Sequence, residues 1–146
     1  MKYIVLSFIC VLLFSFWMCS SANSQSKAVK KISAVLSSQV ESWNKGDIEE
    51  FMKTYWKNDS LMFIGKSGVT YGWYKTLKNY QKGYPDKAAM GQLDFTIISM
   101  KNISRRMFSV VGKWHLARQA GDLQGHFTLL LKKFKKEWLI IQDHSS

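Results

Sequence analysis

The chain has 146 residues, and with 21 Lys or Arg against 10 Asp or Glu its formal net charge is +11. This length suits one domain with a hydrophobic core. A basic chain suits an anionic partner, but its lysines are scattered, and the one dense cluster, Lys132–Lys136, falls at a predicted turn. We therefore expect that cluster to be a solvated turn, and we expect no nucleic-acid binding.

The first 24 residues have the features of a secretory signal peptide. Lys2 precedes an apolar run from Tyr3 to Met18, and the small residues of Ser20–Ser24 follow it. The run is short for a bilayer span, so a membrane anchor is the less favoured alternative. Cleavage after Ala22 or after Ser24 fits these small residues, and we prefer Ser24. We predict export to the periplasm or the medium, no membrane attachment afterwards, and a single mature domain at residues 25–146.

Both cysteines, Cys10 and Cys19, lie in this leader segment. The predicted mature domain therefore has no thiol, which excludes disulfides, Cys-metal sites and Cys nucleophiles from it. Lipidation of Cys19 is the alternative to simple cleavage. It is less favoured because the large residues of Phe16–Met18 stand where a lipidation signal requires small ones.

Apolar residues at spacings of three and four predict a first helix over residues 26–44. Gly46 is placed to end it in a left-handed conformation. Asp47 followed by Glu50 has the pattern of a capping box and predicts the start of a second helix, which Phe51–Trp56 carry inward. Capping accounts for these two carboxylates better than catalysis does.

The rest of the chain reads as a small hairpin, a third helix and then strands. Leu61–Ile64 and Val69–Tyr71 form the hairpin, and Gly72 opens a helix that Pro85 ends. Three long strands joined by tight turns, and one final strand, are predicted after Met90. They are Leu93–Met100, Met107–Arg118, Leu123–Phe134 and the strand that begins at Trp138.

These elements indicate an α+β architecture, with three N-terminal helices packed on a strongly curved antiparallel β-sheet. Trp138–Ile141 is apolar enough for the middle of a sheet rather than its edge. Gly112 and Gly125, inside long strands, are candidate bends or bulges. A curved sheet with helices across its open side makes a cone with a pocket, where a ligand is first sought.

Several motifs in a fixed order make the mature chain resemble a known superfamily. They are Trp43–Asp47, Phe63–Gly65, Gly72-Trp73, Gly112–Trp114, Gly125–Leu130 and Trp138–Ser146. Over residues 27–146 the chain resembles the nuclear transport factor 2-like superfamily, near its small exported SnoaL-like and ketosteroid-isomerase-like bacterial members. The resemblance implies a cone fold, a pocket between the helices and the concave sheet face, and frequently a homodimer formed through the sheet.

The resemblance also implies a kind of chemistry. Ketosteroid-isomerase-like members use a carboxylate base and an acidic hydrogen-bond donor deep in the pocket. Asp94 on the first long strand is a candidate carboxylate here, and Tyr55 is a candidate donor. The ending of the chain resembles the association domain of calcium/calmodulin-dependent protein kinase II as well, which is an assembly module without catalysis.

Asp143 and His144 end the last strand and form the densest cluster of possible chemistry. As neighbours on a strand they point to opposite faces, so they do not form a dyad with each other. Whichever of them faces the pocket is a candidate catalytic residue, and a histidine there would suit a general base. The alternative is that they only bond backbone groups where the strand ends.

Two further histidines flank a predicted hairpin turn. In a two-residue turn centred on Ala120-Gly121, His115 would oppose His126 and Trp114 would oppose Phe127. Two opposed histidines would suit a metal, but the sequence offers no evident third ligand. We therefore expect no metal site here.

Aromatic residues are too numerous for all of them to be buried in one small domain. We expect some to line a pocket for a small apolar or aromatic molecule, and no cofactor is expected, because the sequence has no phosphate-binding loop and no nucleophile elbow. The predicted lining consists of Tyr55, Phe63, Trp73, Tyr80, Trp114, Phe127 and His126.

Three functions remain open from the sequence. The favoured one is an exported domain that binds a small ligand in an aromatic-lined pocket. The first alternative is an acid–base enzyme of isomerase, cyclase or dehydratase type that uses His144, Asp143 or Asp94. The second is a homo-oligomeric assembly module, most simply a homodimer.

Overall fold

A computed structural model describes residue 25 and residues 27–146. The predicted signal peptide, with both cysteines, lies outside the described residues. The chain divides into two units, Met1–Ile32 and Ser33–Ser146, and every contact discussed below lies within the second. No helix in the described part of the chain is long and apolar enough to cross a bilayer.

Four helices and six strands make up the described residues. The helices are α1 (residues 27–45), α2 (Ile48–Met52), α3 (Trp73–Gly83) and α4 (Lys87–Met90). The strands are β1 (Met62–Gly65), β2 (Gly68–Tyr71), β3 (Gln92–Ser104), β4 (Met107–Ala117), β5 (Leu123–Phe134) and β6 (Glu137–Ser145). The short α4 is additional to the three predicted helices, and the carboxylate of Asp86 caps it by accepting from the Ala89 backbone N–H.

The corner between α1 and α2 confirms the sequence prediction. Gly46 has φ +82°, and Asp47 is the N-cap of α2, its carboxylate accepting a 2.8 Å hydrogen bond from the backbone N–H of Glu50. The predicted length of α2 is wrong, however, because the helix stops at Met52. The backbone beyond it pairs with Ile140 of β6 instead of continuing the helix.

The strands form one sheet in the order β2-β1-β6-β5-β4-β3. The prediction of a central last strand is confirmed, since β6 lies between β1 and β5. The expectation of a wholly antiparallel sheet needs one correction, because β1 runs parallel to β6, with Phe63 beside Asp143. This pair can be parallel because a long connection separates the two strands, whereas tight turns force the other neighbours to be antiparallel.

A β-bulge at Ile141 sets which residues of β6 face the core. Leu130 pairs with Gln142 and Leu131 pairs with Ile140, so Ile141 has no partner on β5. The extra residue reverses the alternation of side chains along the strand. Ile140 and Asp143, three residues apart, are therefore both buried.

Two glycines make room for aromatic rings across the β4–β5 pair. Gly112 lies opposite Phe127, and a Cβ at Gly112 would come within 2.4 Å of the Phe127 ring. Gly125 lies opposite Trp114, and a Cβ there would collide with the backbone carbonyl of Ser146 and come within 2.9 Å of the indole. The predicted opposition of Trp114 and Phe127 is therefore wrong by two residues, since each ring packs over a glycine rather than over the other ring.

Gly112 and Gly125, the candidate bends or bulges, carry no bulge in this strand pair. The register of β4 on β5 is continuous through both glycines. The irregularities lie in the neighbouring strand β3, where Ile98 and Ile103 have no partner on β4. Bulges on the edge strand bend the sheet without disturbing the aromatic contacts at its centre.

The part of α1 from Ser33 onward packs on the inner face of the sheet, which we define as the face that carries the buried strand residues. Trp43 of α1 donates from Nε1 to the Met90 carbonyl at 3.1 Å. The Asn44 amide accepts from the Leu93 backbone N–H at 2.7 Å and donates to the Leu93 carbonyl at 3.1 Å, and so occupies the free edge of β3. The buried strand residues are Leu93, Phe108, Val110, Leu116, Phe127, Leu129, Leu131, Trp138, Ile140 and Asp143.

Candidate functional site

Asp143 is a buried carboxylic acid with a hydroxyl donor on each oxygen. Only 3% of its surface is exposed. The Tyr55 hydroxyl donates to Oδ2 at 2.7 Å, and the Ser145 hydroxyl donates to Oδ1 at 2.8 Å. Tyr55 arrives from the segment after α2, whereas Asp143 and Ser145 share one face of β6. The site therefore depends on the docking of that segment against the central strand.

Burial raises the pKa of Asp143 from 3.8 to about 6. The hydrogen bonds from Tyr55 and Ser145 and the nearby charge of His144 act in the opposite direction, but they do not offset the loss of water around the carboxylate. The group consequently changes its protonation state close to physiological pH. A buried acid with such a pKa can accept or release a proton, or hold a polar ligand atom.

Two tyrosines beside Asp143 stay protonated. Burial raises the pKa of Tyr55 well above 10, and the negative charge of Asp143 raises it further. The pKa of Tyr80 is raised for the same two reasons, in the same order. Both phenols therefore keep their protons at neutral pH and can donate hydrogen bonds there.

Aromatic rings form one continuous cluster next to this acid. Phe63 lies beside Asp143 in the sheet, and its ring contacts Tyr80 edge-on at 5.6 Å between centroids. Tyr80 in turn stacks on Tyr84 at 6.2 Å. These three rings are half-buried. The buried rings of Trp43, Phe51 and Tyr55 complete the cluster behind them.

An open groove of about 420 Å³ adjoins the outer end of the cluster. It lies between the α1–α2 corner at Lys45–Glu49 and the segment Tyr84–Lys87. Tyr84 belongs to both features, since its ring lines the groove and contacts Tyr80 and Trp43. The half-buried row from Tyr84 to Phe63 thus extends from this groove toward Asp143.

The other predicted pocket aromatics do not belong to this aromatic cluster, although Phe127 pairs in the sheet with Ser145, the residue that donates to Asp143. Trp73 is buried on the helical side, where Nε1 donates to the Met52 carbonyl at 2.8 Å and the Lys57 ammonium lies over the ring. Phe127 is buried against Phe95. Trp114 is half-buried on the inner face, and its Nε1 is buried with no hydrogen-bond partner among the described residues.

Three predicted polar site residues lie on the outer side of the sheet. His144 is exposed, because the bulge at Ile141 turns Asp143 inward and its neighbour outward. Asp94 is exposed on β3 opposite His115, and His126 is exposed on β5 opposite Lys113. None of the three joins the Asp143 cluster.

The histidines at the β4–β5 hairpin do not oppose each other as predicted. His115 pairs with Gln124 in the sheet, and its Nε2 lies 2.9 Å from Asp122 Oδ2. The loop is five residues long, and Asp122 holds it by accepting from the Arg118 backbone N–H. Within residues 25 and 27–146, no group of three or more His, Asp or Glu side chains is arranged to hold a metal.

Sequence reasoning did not identify two residues of the site. Ser145 was detectable from the period-two alternation, since it shares a face with Asp143 once that face is known. Tyr84 directly precedes Pro85, which ends the helix, and it is not among the predicted pocket residues. Its contacts with Trp43 and Tyr80 arise from tertiary packing, for which the sequence carries no local signal.

Comparison with known proteins identifies the family. No protein-family model and no curated protein matches the chain. Among solved structures, it is similar to a nuclear transport factor 2-like protein of unknown function from Shewanella oneidensis, with 42% identity, a TM-score of 0.78, and coverage of 82% of this chain and 98% of that one. More distant structures share the fold.

Two of these distant structures are a ketosteroid isomerase-like protein from Erwinia carotovora atroseptica and a putative scytalone dehydratase from Novosphingobium aromaticivorans. The first is 16% identical, with a TM-score of 0.62, and the match covers 80% of this chain and 93% of the Erwinia chain. The second is 11% identical, with a TM-score of 0.67, and the match covers 85% of this chain and 86% of the Novosphingobium chain. Because the Shewanella protein is matched over nearly its whole length at high identity, this chain belongs to the nuclear transport factor 2-like family.

Proposed function

We propose that this protein binds a small, flat, largely apolar molecule that carries one polar group. The observation that supports this most directly is the half-buried aromatic row of Phe63, Tyr80 and Tyr84 next to the buried acid Asp143. Ring faces and edges provide apolar contact area with little loss of side-chain freedom. A buried carboxyl beside them provides one fixed polar contact, the combination typical of small-molecule sites.

Asp143 would recognise the polar group through its protonation state. With a pKa of about 6, the carboxyl is mostly ionised at neutral pH and then accepts hydrogen bonds. Tyr55 and Ser145 each occupy one of its oxygens, and every carboxylate oxygen has a second lone pair. A ligand hydroxyl or amine that donates to this second position would be favoured over a purely apolar analogue.

Two buried polar side-chain atoms elsewhere in the domain have no hydrogen-bond partner among the described residues. The Gln39 side chain lies on α1, in a residue only 1% exposed, and its Oε1 has no partner among the described residues. The Trp114 Nε1 donor is unpaired in the same way. Unpaired buried polar atoms are rare in folded proteins, and a bound ligand or water is a common explanation.

Native mass spectrometry of the protein purified from its own host tests the proposal. We expect a non-covalent adduct of small mass that is lost on denaturation. Tyr80→Ala should remove the adduct, because this ring joins Phe63 to Tyr84, whereas Tyr74→Ala should keep it, because Tyr74 is 59% exposed on the outer side of α3. Equal adduct levels in the two folded variants would contradict the proposed site.

A second candidate function is acid–base catalysis with Asp143 as the proton carrier. It is favoured by the pKa of about 6, which places the carboxyl near the value that proton transfer at neutral pH requires. Tyr55 would then hold the carboxylate and keep its own proton. The ligand identified by mass gives the test. If the wild-type protein converts this ligand and Asp143→Asn binds it without converting it, the protein is an enzyme. If the wild-type protein binds the ligand stably and does not convert it, the binding function is supported instead.

A further inference from the structure

Two hairpin turns that are distant in sequence meet at one end of the sheet. The β3–β4 turn carries Arg105 and Arg106, and the β5–β6 turn carries Lys135 and Lys136. Arg106 connects the two hairpins, since its Nε and Nη2 donate to the Lys133 carbonyl at 3.1 and 3.0 Å, while the Lys133 N–H donates to the Arg106 carbonyl at 2.9 Å. Basic runs that look separate in the sequence therefore form one surface.

We call this surface the basic end. It comprises Lys101, Arg105, Arg106, Lys132, Lys133, Lys135 and Lys136, and five of these seven are exposed. Within residues 101–106 and 132–137, which carry these seven side chains, Glu137 is the only acid. A third of the Lys and Arg in the chain is thus concentrated at one end of the sheet, with little compensating negative charge.

Apolar and aromatic side chains lie among these cations. The bulge in β3 leaves Ile103 without a strand partner and 55% exposed. Trp56 is half-buried and stacks on Phe134, with ring centroids 5.4 Å apart and planes at 20°. The Lys132 ammonium lies over the same Phe134 ring at 5.4 Å.

We propose that the basic end docks the protein on the surface of an anionic phospholipid membrane. Clustered Lys and Arg are attracted to the negative surface of such a membrane, and the attraction grows with the number of cations that lie near the surface. An exposed Ile and a Trp among those cations fit the interfacial region, where apolar side chains enter the headgroup layer and Trp is enriched. This surface is separate from the Asp143 site, so both can be occupied together.

The same surface is less suited to nucleic acid. Sequence-tolerant binding of single strands relies on free aromatic faces on which bases stack. Phe134, the half-buried aromatic residue just before the β5–β6 turn, is already engaged by Trp56 and by the Lys132 ammonium. Charge alone would still attract a polyanion, and the experiment must separate the two.

Co-sedimentation with vesicles is the test, using the protein as its host produces it. Vesicles with equal parts of phosphatidylglycerol and phosphatidylcholine are compared with phosphatidylcholine alone and with a single-stranded oligonucleotide. The variant Arg105→Glu/Lys136→Glu changes two exposed side chains of the basic end. Its matched control, Lys75→Glu/Lys78→Glu, makes the same change in net charge on exposed positions of α3.

We expect the wild type and the α3 control to bind the anionic vesicles, and the turn variant to bind at least about tenfold more weakly. Ile103→Ser should weaken binding to the vesicles but leave any binding to the oligonucleotide unchanged. Circular dichroism confirms that each variant is folded. The proposal is overturned by equal losses in the turn variant and its control, by binding that does not depend on anionic lipid, or by binding to the oligonucleotide alone.

Discussion

The Tyr55 hydroxyl donates a 2.7 Å hydrogen bond to Oδ2 of Asp143, although the two residues are 88 positions apart in the chain. The contact exists because the backbone after α2 pairs with Ile140, which positions Tyr55 beside the end of the same strand. Ser145 completes the arrangement from within β6. The acid is thus fixed by one local partner and one distant partner.

Replacement of Asp143 by Asn should remove a pH dependence of stability. Because the pKa of Asp143 is raised from 3.8 to about 6 by folding, the folded state holds this proton more tightly than the unfolded state between about pH 4 and pH 6. The contribution of Asp143 to the free energy of unfolding therefore falls as pH rises through that window, by about 3 kcal/mol in total. Above the window this contribution is constant.

Denaturant unfolding of the wild type and Asp143→Asn at pH 4, 5, 6 and 8 measures this effect. The difference in the free energy of unfolding should shift in favour of the variant as pH rises, and should level off above about pH 6. Asp94→Asn serves as the control, because Asp94 is exposed on the outer face. A pH-independent difference between wild type and Asp143→Asn would contradict the assigned environment of the acid.

Removal of the Tyr55 hydroxyl should raise the pKa of Asp143 further. Tyr55→Phe removes the donor to Oδ2, which stabilises the ionised carboxylate. Carbon-detected NMR of the Asp143 carboxyl should place the midpoint above that of the wild type, and stability at pH 8 should fall by about 1–3 kcal/mol. Tyr74→Phe removes an exposed hydroxyl and should leave both quantities unchanged, and a midpoint that falls in Tyr55→Phe would refute the geometry.

A methyl group at Gly112 should destabilise the domain through its contact with Phe127. The new Cβ would lie 2.4 Å from the Phe127 ring and 2.9 Å from the Thr96 carbonyl, so the sheet must shift. We expect a loss of about 1–3 kcal/mol in unfolding experiments. Phe127→Leu in the same chain should recover part of the loss, which a double-mutant cycle measures.

Gly83→Ala provides the contrast, because nothing lies within 4 Å of a Cβ at Gly83, the last residue of α3. Alanine there should be neutral or stabilise by up to about 1 kcal/mol. If both glycine variants behaved alike, the argument that Gly112 makes room for an aromatic ring would be wrong.

Asn44→Ala should separate the end of α1 from β3. The Asn44 amide bonds both the N–H and the carbonyl of Leu93, and no other side chain is positioned to replace it among the described contacts. Loss of both bonds should lower the free energy of unfolding by about 1–3 kcal/mol and increase amide exchange at Leu93. Asn79→Ala, which removes one exposed 3.3 Å hydrogen bond to Thr70, should change stability by less than half as much.

Elements with a strong local signal could be predicted from the sequence. The Gly46–Asp47 corner was predictable because a left-handed glycine and an N-cap carboxylate are set by neighbouring residues. The central position of the last strand followed from its unbroken apolar run. The end of α2 was not predictable, since the residues after Met52 have helical spacing but pair with Ile140 instead.

The candidate site shows the same division. Asp143, Tyr55, Phe63 and Tyr80 could be proposed from residue type and position, and the structure brings these four together. Trp73 is equally aromatic, but it is buried where its Nε1 donates to the Met52 carbonyl, whereas Phe127 is buried against Phe95 and opposite Ser145. Composition identifies the kind of side chain that lines a site, but it cannot say which of several alike side chains will do so.

By itself, the sequence determined the element types, the α+β class and the opposite orientation of Asp143 and His144, because these depend on spacing along the chain. Only the tertiary structure decided that Asp143 is the one that faces inward. The reason is the bulge at Ile141, which reverses the alternation of β6 and is visible only when β6 is paired with β5. Strand pairing is a property of two distant segments, and a single strand's sequence does not contain it.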